Sequence, residues 1–232
     1  MLKNYTLTPK TAVLLFAQSE NVERISKPIA RNKKQNVLLW KKMNERVIKT
    51  ISKSKLPYFH SNETNQIGTS FGEKLANAIQ QLFNKGFEKV IVIGNDCPEL
   101  QSVHLFKAAS QLLKNDFVLG ANQNGGAYLI GVTKSALNIQ NFKTIKWQTA
   151  TVYSELKVLF QENTVALLPS FNDCNTTNDF KKIVAKLSFL DSLHHLILSL
   201  FQNNSPINRY KIPFFKAEIS SLNFNKGSPS PF

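Results

Sequence analysis

The segment VIVIGNDCPEL, residues 90–100, places a glycine, an acidic residue and a proline directly after four apolar residues. A short continuous apolar run is typical of a strand that is buried on both faces of a parallel sheet. Pro98 has no backbone N–H for a sheet hydrogen bond, so the strand should end close to Asp96. In open α/β sheets, ligands bind at the carboxyl ends of the strands. The segment therefore predicts a carboxylate at the ligand edge of such a sheet.

The rest of the chain alternates strand patterns with amphipathic helix patterns, which predicts an α/β fold with a mostly parallel sheet between helices. Strands are predicted at residues 11–17, 56–61, 88–96, 116–121, 125–133 and 164–170, of which the fifth could run antiparallel to its predecessor. Helices are predicted at residues 37–52, 69–86, 102–115, 150–161, 177–187 and 190–201, with a long loop at 18–36. We expect an α/β domain over residues 1–187 and a C-terminal helix and tail over residues 188–232.

The composition argues against several classes of protein. No run of 18 or more apolar residues occurs, so we expect no membrane span. The first apolar run, at 11–17, is followed by polar residues without a small-residue cleavage site, so it is interpreted as a strand and not as a signal peptide. Two cysteines give neither a disulfide framework nor a CxxC zinc pattern. We therefore expect a protein of the reducing cytoplasm.

Positive charge is concentrated near the N-terminus. Of the net charge of +14, residues 1–60 contribute +10, with 13 Lys and Arg against 3 Glu. A basic segment attracts phosphates, nucleic acid or acidic membrane surfaces, or it is simply a solvated face. The aromatic and zinc-binding patterns of nucleic-acid-binding modules are missing, so we expect nucleotide phosphate as the anion and no specific nucleic acid.

Two side chains of the opening segment have competing interpretations. Asp96 is a hard oxygen ligand suited to Mg²⁺ or Mn²⁺, but an aspartate in this position could also cap the next helix or organise the turn. Cys97 is interpreted as a small buried residue more readily than as a nucleophile, because nothing nearby in the sequence would lower its pKa.

Four motifs in this order point to a protein family: IGNDCPEL (93–100), VLGANQNGGAYLIGV (118–132), FKTIKWQTATV (142–152) and NDCNTTNDF (172–180). Together they resemble an uncharacterised bacterial family of glycosyltransferase-like proteins with the glycosyltransferase-A fold, distantly similar to molybdenum-cofactor guanylyltransferases. The resemblance spans about residues 11–184. It implies a three-layer α/β/α Rossmann-like sandwich, and it implies the reaction only loosely.

The resemblance also implies roles for individual residues. Asp96 and Asp173 correspond to metal-binding carboxylates, and Asn95, beside the first of them, is a candidate for binding the donor phosphate. Family members follow the first strand with a glycine-containing, basic phosphate loop, whereas this chain has no glycine there. Arg24, Lys27 and Arg31 could still attract phosphate by charge, although a glycine-free loop wraps a phosphate less easily.

The remaining candidates belong to the presumed acceptor side. Gly125 and Gly126 keep the family's paired glycines, which could admit a ligand close to the backbone or form a tight turn. Asn124 and Asn175 replace acidic residues of the family pattern, and an amide cannot act as a general base. Trp147 is retained and could line the acceptor pocket or belong to the core.

Three functional hypotheses follow. The first is a transferase that uses Mg²⁺ or Mn²⁺, a nucleotide-activated donor and a small-molecule acceptor, with glycosyl transfer favoured over nucleotidyl transfer because the phosphate loop is altered. The second is a non-catalytic member that binds a nucleotide or a sugar. The third is a nucleic-acid-binding protein, whose binding would weaken steeply with salt. The sequence identifies neither the catalytic residue nor the oligomeric state.

Overall fold

A computed structural model describes residues 10–201 and shows six strands and eight helices within that range. The strands are β1 (Thr11–Phe16), β2 (Tyr58–Ser61), β3 (Lys89–Ile93), β4 (Phe117–Asn122), β5 (Ala127–Thr133) and β6 (Val165–Phe171). The helices are α1 (Glu20–Ser26), α2 (Lys33–Ser54), α3 (Phe71–Asn84), α4 (Ser102–Gln111), α5 (Ile139–Lys143), α6 (Val152–Leu159), α7 (Thr177–Val184) and α8 (Ser192–Phe201).

The strands form one mixed sheet in the order β2-β1-β3-β5-β4-β6. β1 pairs in parallel with both β2 and β3, and β4 pairs in parallel with β6. Only β5 runs the other way, antiparallel to β3 and to β4. The predicted α/β fold with a mostly parallel sheet is therefore confirmed, and so is the reversed fifth strand.

Alternate residues of the strands face two different helical layers, because successive side chains of a strand point to opposite faces of the sheet. On one face Ala12 and Leu14 pack in a core with residues of α3, α5 and α6. On the other face Val13 and Leu15 pack with residues of α2 and α4. The two cores make the three-layer α/β/α arrangement.

The sheet places a topological switch point beside β1. From β1 the chain crosses to β2 on one side, and from β2 it returns to β3 on the other side. The connections that leave the carboxyl ends of β1 and β3 therefore diverge, and they open a crevice at this edge of the sheet. Asp96 follows β3 at that crevice, as the sequence predicted.

One predicted element was wrong. Residues 18–36 were expected to form a long loop, but α1 occupies Glu20–Ser26 and α2 already begins at Lys33. The sequence hides α1 because the one buried side chain of this helix is Glu23, which leaves no apolar stripe to detect. Asn32 starts α2 by accepting a hydrogen bond from the N–H of Gln35 at 3.0 Å.

A third apolar cluster holds the C-terminal part of the described region. Residues of α2, α7 and α8 meet there, including the fully buried Trp40 and Phe180. The predicted tail at 202–232 lies outside the described residues, and the domain boundary at 187/188 stays a prediction. Among residues 10–201, no helix is long and apolar enough to cross a membrane.

Candidate functional site

A cavity of about 760 Å³ opens at the carboxyl edge of the sheet, beside the switch point. One wall is apolar and includes Phe16, Phe71 and Trp147. Another part of the lining, the polar wall, carries the candidate metal carboxylates. An apolar cavity with a few convergent polar groups is the usual form of a small-molecule site. The predicted site residues that line it are Lys27, Asn95, Asp96, Asn124, Gly126, Trp147, Asp173 and Asn175.

Asp96 is held at the polar wall by both its backbone and its side chain. Its carbonyl oxygen accepts a hydrogen bond from the N–H of Cys174 at 2.7 Å, which joins the end of β3 to the segment after β6. Its carboxylate accepts a hydrogen bond from the ammonium group of Lys27, with 2.8 Å between Oδ2 and Nζ. The two segments that bear Asp96 and Asp173 are thereby fixed side by side.

Asp173 is buried, with 7% of its surface exposed. Its Oδ2 accepts a hydrogen bond from the amide group of Asn122, whereas its buried Oδ1 has no hydrogen-bond partner. Burial, followed by the nearby charge of Asp96, raises the pKa of Asp173 to about 7. A buried carboxylate with one free oxygen has room for a cation or a proton at that atom.

Lys27 projects from the end of α1, and α2 fixes its backbone. The buried amide of Asn36 donates to the carbonyl oxygens of Arg24 and Lys27, and its oxygen accepts from the N–H groups of Ile29 and Ala30. The indole N–H of Trp40 also donates to the Lys27 carbonyl oxygen, at 3.2 Å. A single asparagine therefore organises the segment where the family has a glycine loop.

Electrostatics around Lys27 are dominated by carboxyl groups. Burial lowers the pKa of Lys27, but the charges of Asp96 and Glu23 together outweigh burial and raise it above its usual value. Burial also raises the pKa of Glu23, although Lys27 opposes this shift. Glu23 is 5% exposed and lines the cavity, yet sequence reasoning missed it. The only available signal was an acidic residue one helical turn before Lys27.

Asn122 is the second residue that the sequence did not single out. Its side-chain oxygen accepts hydrogen bonds from the N–H groups of Asn124 at 3.0 Å and Gly126 at 2.6 Å, while its amide group holds Asp173. It lies within the quoted glycine motif, but nothing in one sequence distinguishes it from other turn asparagines. One side chain thus joins the turn after β4 to the carboxylate after β6.

The paired glycines are required by the shape of this turn. Gly125 has φ +82°, and a Cβ there would overlap the carbonyl oxygen of Ala150. A Cβ on Gly126 would lie 2.6 Å from the amide nitrogen of Asn122. Gly125 does not line the cavity, whereas Gly126 and the exposed Asn124 do. The glycines therefore serve the tight turn, and Gly126 also borders the ligand space.

Trp147 is held firmly in the apolar wall. Its indole N–H donates to the carbonyl oxygen of Phe142 at 3.1 Å, and its ring contacts those of Phe142 and Phe71. A Cβ on Gly72 would come within 2.7 Å of the indole ring. Trp147 is therefore a packed side chain that also lines the cavity, and its place beside an acceptor stays a prediction.

The other candidates divide into two groups. Asn95 is mostly buried next to Asp96 in the cavity lining and donates a hydrogen bond to the side chain of Asn44 at 2.8 Å, and the exposed Asn175 borders the cavity. Arg24 and Arg31 do not line the cavity, so the structure does not bring these two arginines to the site with Lys27. The free Cys97 is buried, and burial raises its pKa, which agrees with a packing role.

The residues present fit a divalent cation that arrives with a phosphate ligand. Within residues 10–201 no group of three or more His, Cys, Asp or Glu side chains could enclose a metal by itself. Mg²⁺ commonly uses only one or two carboxylates together with substrate phosphates and water. The cavity wall carries three acidic side chains and one basic one, and Oδ1 of Asp173 lacks a partner. Asp96 and Asp173 would hold the metal.

Comparisons with known proteins agree with this picture. Residues 35–149 match the family described as "Uncharacterized protein conserved in bacteria (DUF2064)", which confirms the predicted resemblance. A crystal structure from Desulfovibrio desulfuricans G20, described as a "putative nucleotide-diphospho-sugar transferase", has a TM-score of 0.75 at 19% identity, over 82% of this chain and 95% of that chain. This likeness shows the fold. None of the curated proteins matches the chain.

Two further structures resemble the chain more weakly. Molybdopterin-guanine dinucleotide biosynthesis protein A from Archaeoglobus fulgidus has a TM-score of 0.40 at 14% identity, covering 76% of this chain and 99% of its own. A Mycobacterium tuberculosis H37Rv protein in complex with manganese has a TM-score of 0.47 at 7% identity, covering 76% of this chain and 99% of its own. Likenesses this low carry no argument about donor or metal.

Proposed function

We propose that this chain, whose residues 35–149 match the DUF2064 family, is a metal-dependent transferase that binds a nucleotide-activated donor, with glycosyl transfer from a nucleotide-sugar as the favoured reaction. One observation carries the proposal. Residues from four separate segments, Lys27, Asp96, Asn122 and Asp173, converge on one cavity at the carboxyl edge of an α/β sheet. That edge is where this class of sheet binds its ligands.

The charges of the cavity support a diphosphate that binds together with Mg²⁺ or Mn²⁺. Glu23, Asp96 and Asp173 outnumber Lys27, so a bare diphosphate would meet net negative charge. When bound, a divalent cation neutralises the charge that develops on a diphosphate leaving group. Asp96 and Asp173 would hold that cation, and Lys27 would contact a phosphate oxygen.

The apolar wall supports a donor and a small acceptor that bind side by side. Phe16 and Phe71 are in edge-to-face contact, and Trp147 continues this surface. Flat apolar surfaces suit a nucleoside base or the face of a sugar. Asn124, Gly126 and Asn175 would border the acceptor. A cavity of about 760 Å³ is large enough for ligands of this class.

The segment after β1 favours glycosyl transfer over nucleotidyl transfer. A loop that cradles phosphates uses free backbone N–H groups. Here the N–H groups of Ile29 and Ala30 already donate to the side chain of Asn36, at 3.0 and 3.1 Å. These donors are therefore occupied, and of the described residues that line the cavity Lys27 is the one with a basic side chain.

Calorimetry with UDP and GDP, each with and without Mn²⁺, tests the proposal. We expect Mn²⁺-dependent binding that Asp96→Ala abolishes. Glu88→Ala is the matched control, because Glu88 is an exposed carboxylate just before β3, where it pairs with Lys10 at 2.7 Å. The proposal is wrong if the folded wild-type protein binds neither nucleotide. It is also wrong if Asp96→Ala binds a nucleotide with Mn²⁺ as tightly as wild type does.

A second candidate is a member of the family that binds the donor without turning it over. Asn124 supports it, because this exposed amide stands where the family pattern has an acidic residue and it cannot remove a proton. Incubation with nucleotide-sugars separates the two. Release of nucleoside diphosphate supports the transferase, whereas tight Mn²⁺-dependent binding without release supports the binding protein.

The proposed ligands are small molecules, and we propose a cytoplasmic location without specific nucleic-acid binding. Among residues 10–201, Lys27 is the one basic side chain on the cavity wall, and the other basic side chains of this range do not line the cavity. Binding of RNA or DNA that weakens steeply between about 50 and 200 mM salt would point to the nucleic-acid hypothesis instead.

A further inference from the structure

We propose that the ammonium group of Lys27 is an internal counter-ion that occupies the Asp96 carboxylate in the ligand-free protein and leaves it when a divalent cation binds. Lys27 would then determine how tightly the cavity binds the metal, and its ammonium group would move to an oxygen atom of the phosphate ligand. This inference deepens the proposed function and rests on it, because it concerns the metal ligands of the same cavity.

The ion pair lies where a metal would bind. Nζ of Lys27 is 2.8 Å from Oδ2 of Asp96, and the two side chains are only 26% and 23% exposed. A divalent cation needs the same carboxylate oxygens and is repelled by an adjacent ammonium group. The ammonium group and a divalent cation therefore cannot both contact the Asp96 carboxylate as closely as either would alone.

Only the side chain of Lys27 is free to move. Its carbonyl oxygen accepts hydrogen bonds from Asn36 at 3.0 Å and from Trp40 at 3.2 Å, and both donors are buried. The backbone thus stays in place, while the flexible four-carbon stem can carry the ammonium group from the carboxylate to a phosphate oxygen. The metal and the phosphate would in this way favour each other's binding.

Trp40 provides an optical reporter of this movement. The ammonium group of Lys27 lies 5.3 Å from the centroid of the Trp40 ring, within the range of a cation–π contact. Trp40 has no exposed surface, so a ligand in the cavity cannot touch it directly. The chain has two tryptophans, and the other one, Trp147, lines the cavity. In Trp147→Phe, Trp40 is therefore the one remaining tryptophan, and all indole fluorescence comes from it.

The first test measures Mn²⁺ binding by electron paramagnetic resonance at about pH 8, without nucleotide. Removal of one positive charge beside a divalent site should tighten binding of Mn²⁺ about tenfold or more in Lys27→Met. Lys27→Arg keeps the charge and should bind no more tightly than wild type. Lys10→Met is the matched control, because it removes an exposed ion pair at the other end of β3, and it should not change the affinity. Equal or weaker Mn²⁺ binding by folded Lys27→Met would overturn the inference.

The second test follows the movement of the native lysine itself. In Trp147→Phe, addition of Mn²⁺ with UDP or GDP should change Trp40 emission, and in Trp147→Phe with Lys27→Met it should not. Unchanged emission in the single variant, while calorimetry shows the nucleotide bound, would contradict the movement of Lys27 and leave the proposed function standing. If wild type binds no Mn²⁺ nucleotide at all, the proposed function fails and the inference fails with it.

Discussion

Replacement of Asn122 by alanine should weaken the fold and the site together. The substitution removes the hydrogen bond to the buried carboxylate of Asp173, and bonds to charged groups contribute about 1.5–3 kcal/mol. It also removes the acceptor for the N–H groups of Asn124 and Gly126. Asn124 is exposed, so water can replace its bond, whereas Gly126 is half-buried. We therefore expect the lost bond to Gly126 to lower the free energy of unfolding by a further amount of about 1 kcal/mol.

The two losses together predict that the free energy of unfolding falls by about 3 kcal/mol. For a domain of this size, that corresponds to a melting temperature about 6–12 °C lower. Urea denaturation at about pH 8, where the carboxyl group of Asp173 is mostly ionised, measures the change directly. Nucleotide binding in the presence of Mn²⁺ should weaken in the same variant, because the orientation of Asp173 is no longer fixed.

Gln123→Ala is the matched control for Asn122→Ala. Gln123 is an exposed residue on the same turn, and substitutions of this kind usually change stability by no more than about 0.5 kcal/mol. If Asn122→Ala costs less than about 1 kcal/mol, or no more than Gln123→Ala, then the hydrogen bonds of Asn122 do not hold the turn and the carboxylate as described.

Three further predictions concern the same edge of the sheet. Asn36→Ala removes four hydrogen bonds around Lys27 and should cost about 2–4 kcal/mol in urea denaturation, whereas a loss below about 1 kcal/mol would show that water replaces them. Gly125→Ala forces a Cβ against Ala150 at positive φ and should cost more than about 2 kcal/mol; wild-type stability would mean that the turn relaxes freely. Burial raises the pKa of Asp173 from 3.8 to about 7, so the folded protein keeps a proton that the unfolded chain loses. The melting temperature of wild type relative to Asp173→Asn should therefore fall between about pH 5 and pH 8, and a constant difference would contradict the shift.

The sequence was sufficient to predict Asp96 because its position depends on a local pattern. An apolar strand that ends in an acidic residue and a proline fixes both the strand and the edge at which the carboxylate lies. The reversed strand β5 was predictable for a similar reason, since only a short turn separates it from β4. Local patterns of this kind depend on few neighbours.

Glu23, Asn36 and Asn122 escaped the sequence analysis because their roles depend on distant partners. Asn122 meets a carboxylate 51 positions away, and the one buried side chain of α1 is an acid. A polar residue in a polar segment carries no signal of burial. Arg24 on α1 and Arg31 between α1 and α2 do not line the cavity, because positive charge alone does not determine which side of the chain faces it.

Diffraction from crystals of wild-type protein grown with Mn²⁺ and UDP or GDP, recorded at the manganese absorption edge, would locate the metal and the nucleotide together. We expect an anomalous peak between the carboxylates of Asp96 and Asp173, with the diphosphate next to it and the ammonium group of Lys27 turned from Asp96 toward a phosphate oxygen. A nucleotide bound elsewhere, or manganese bound away from these two carboxylates, would contradict it.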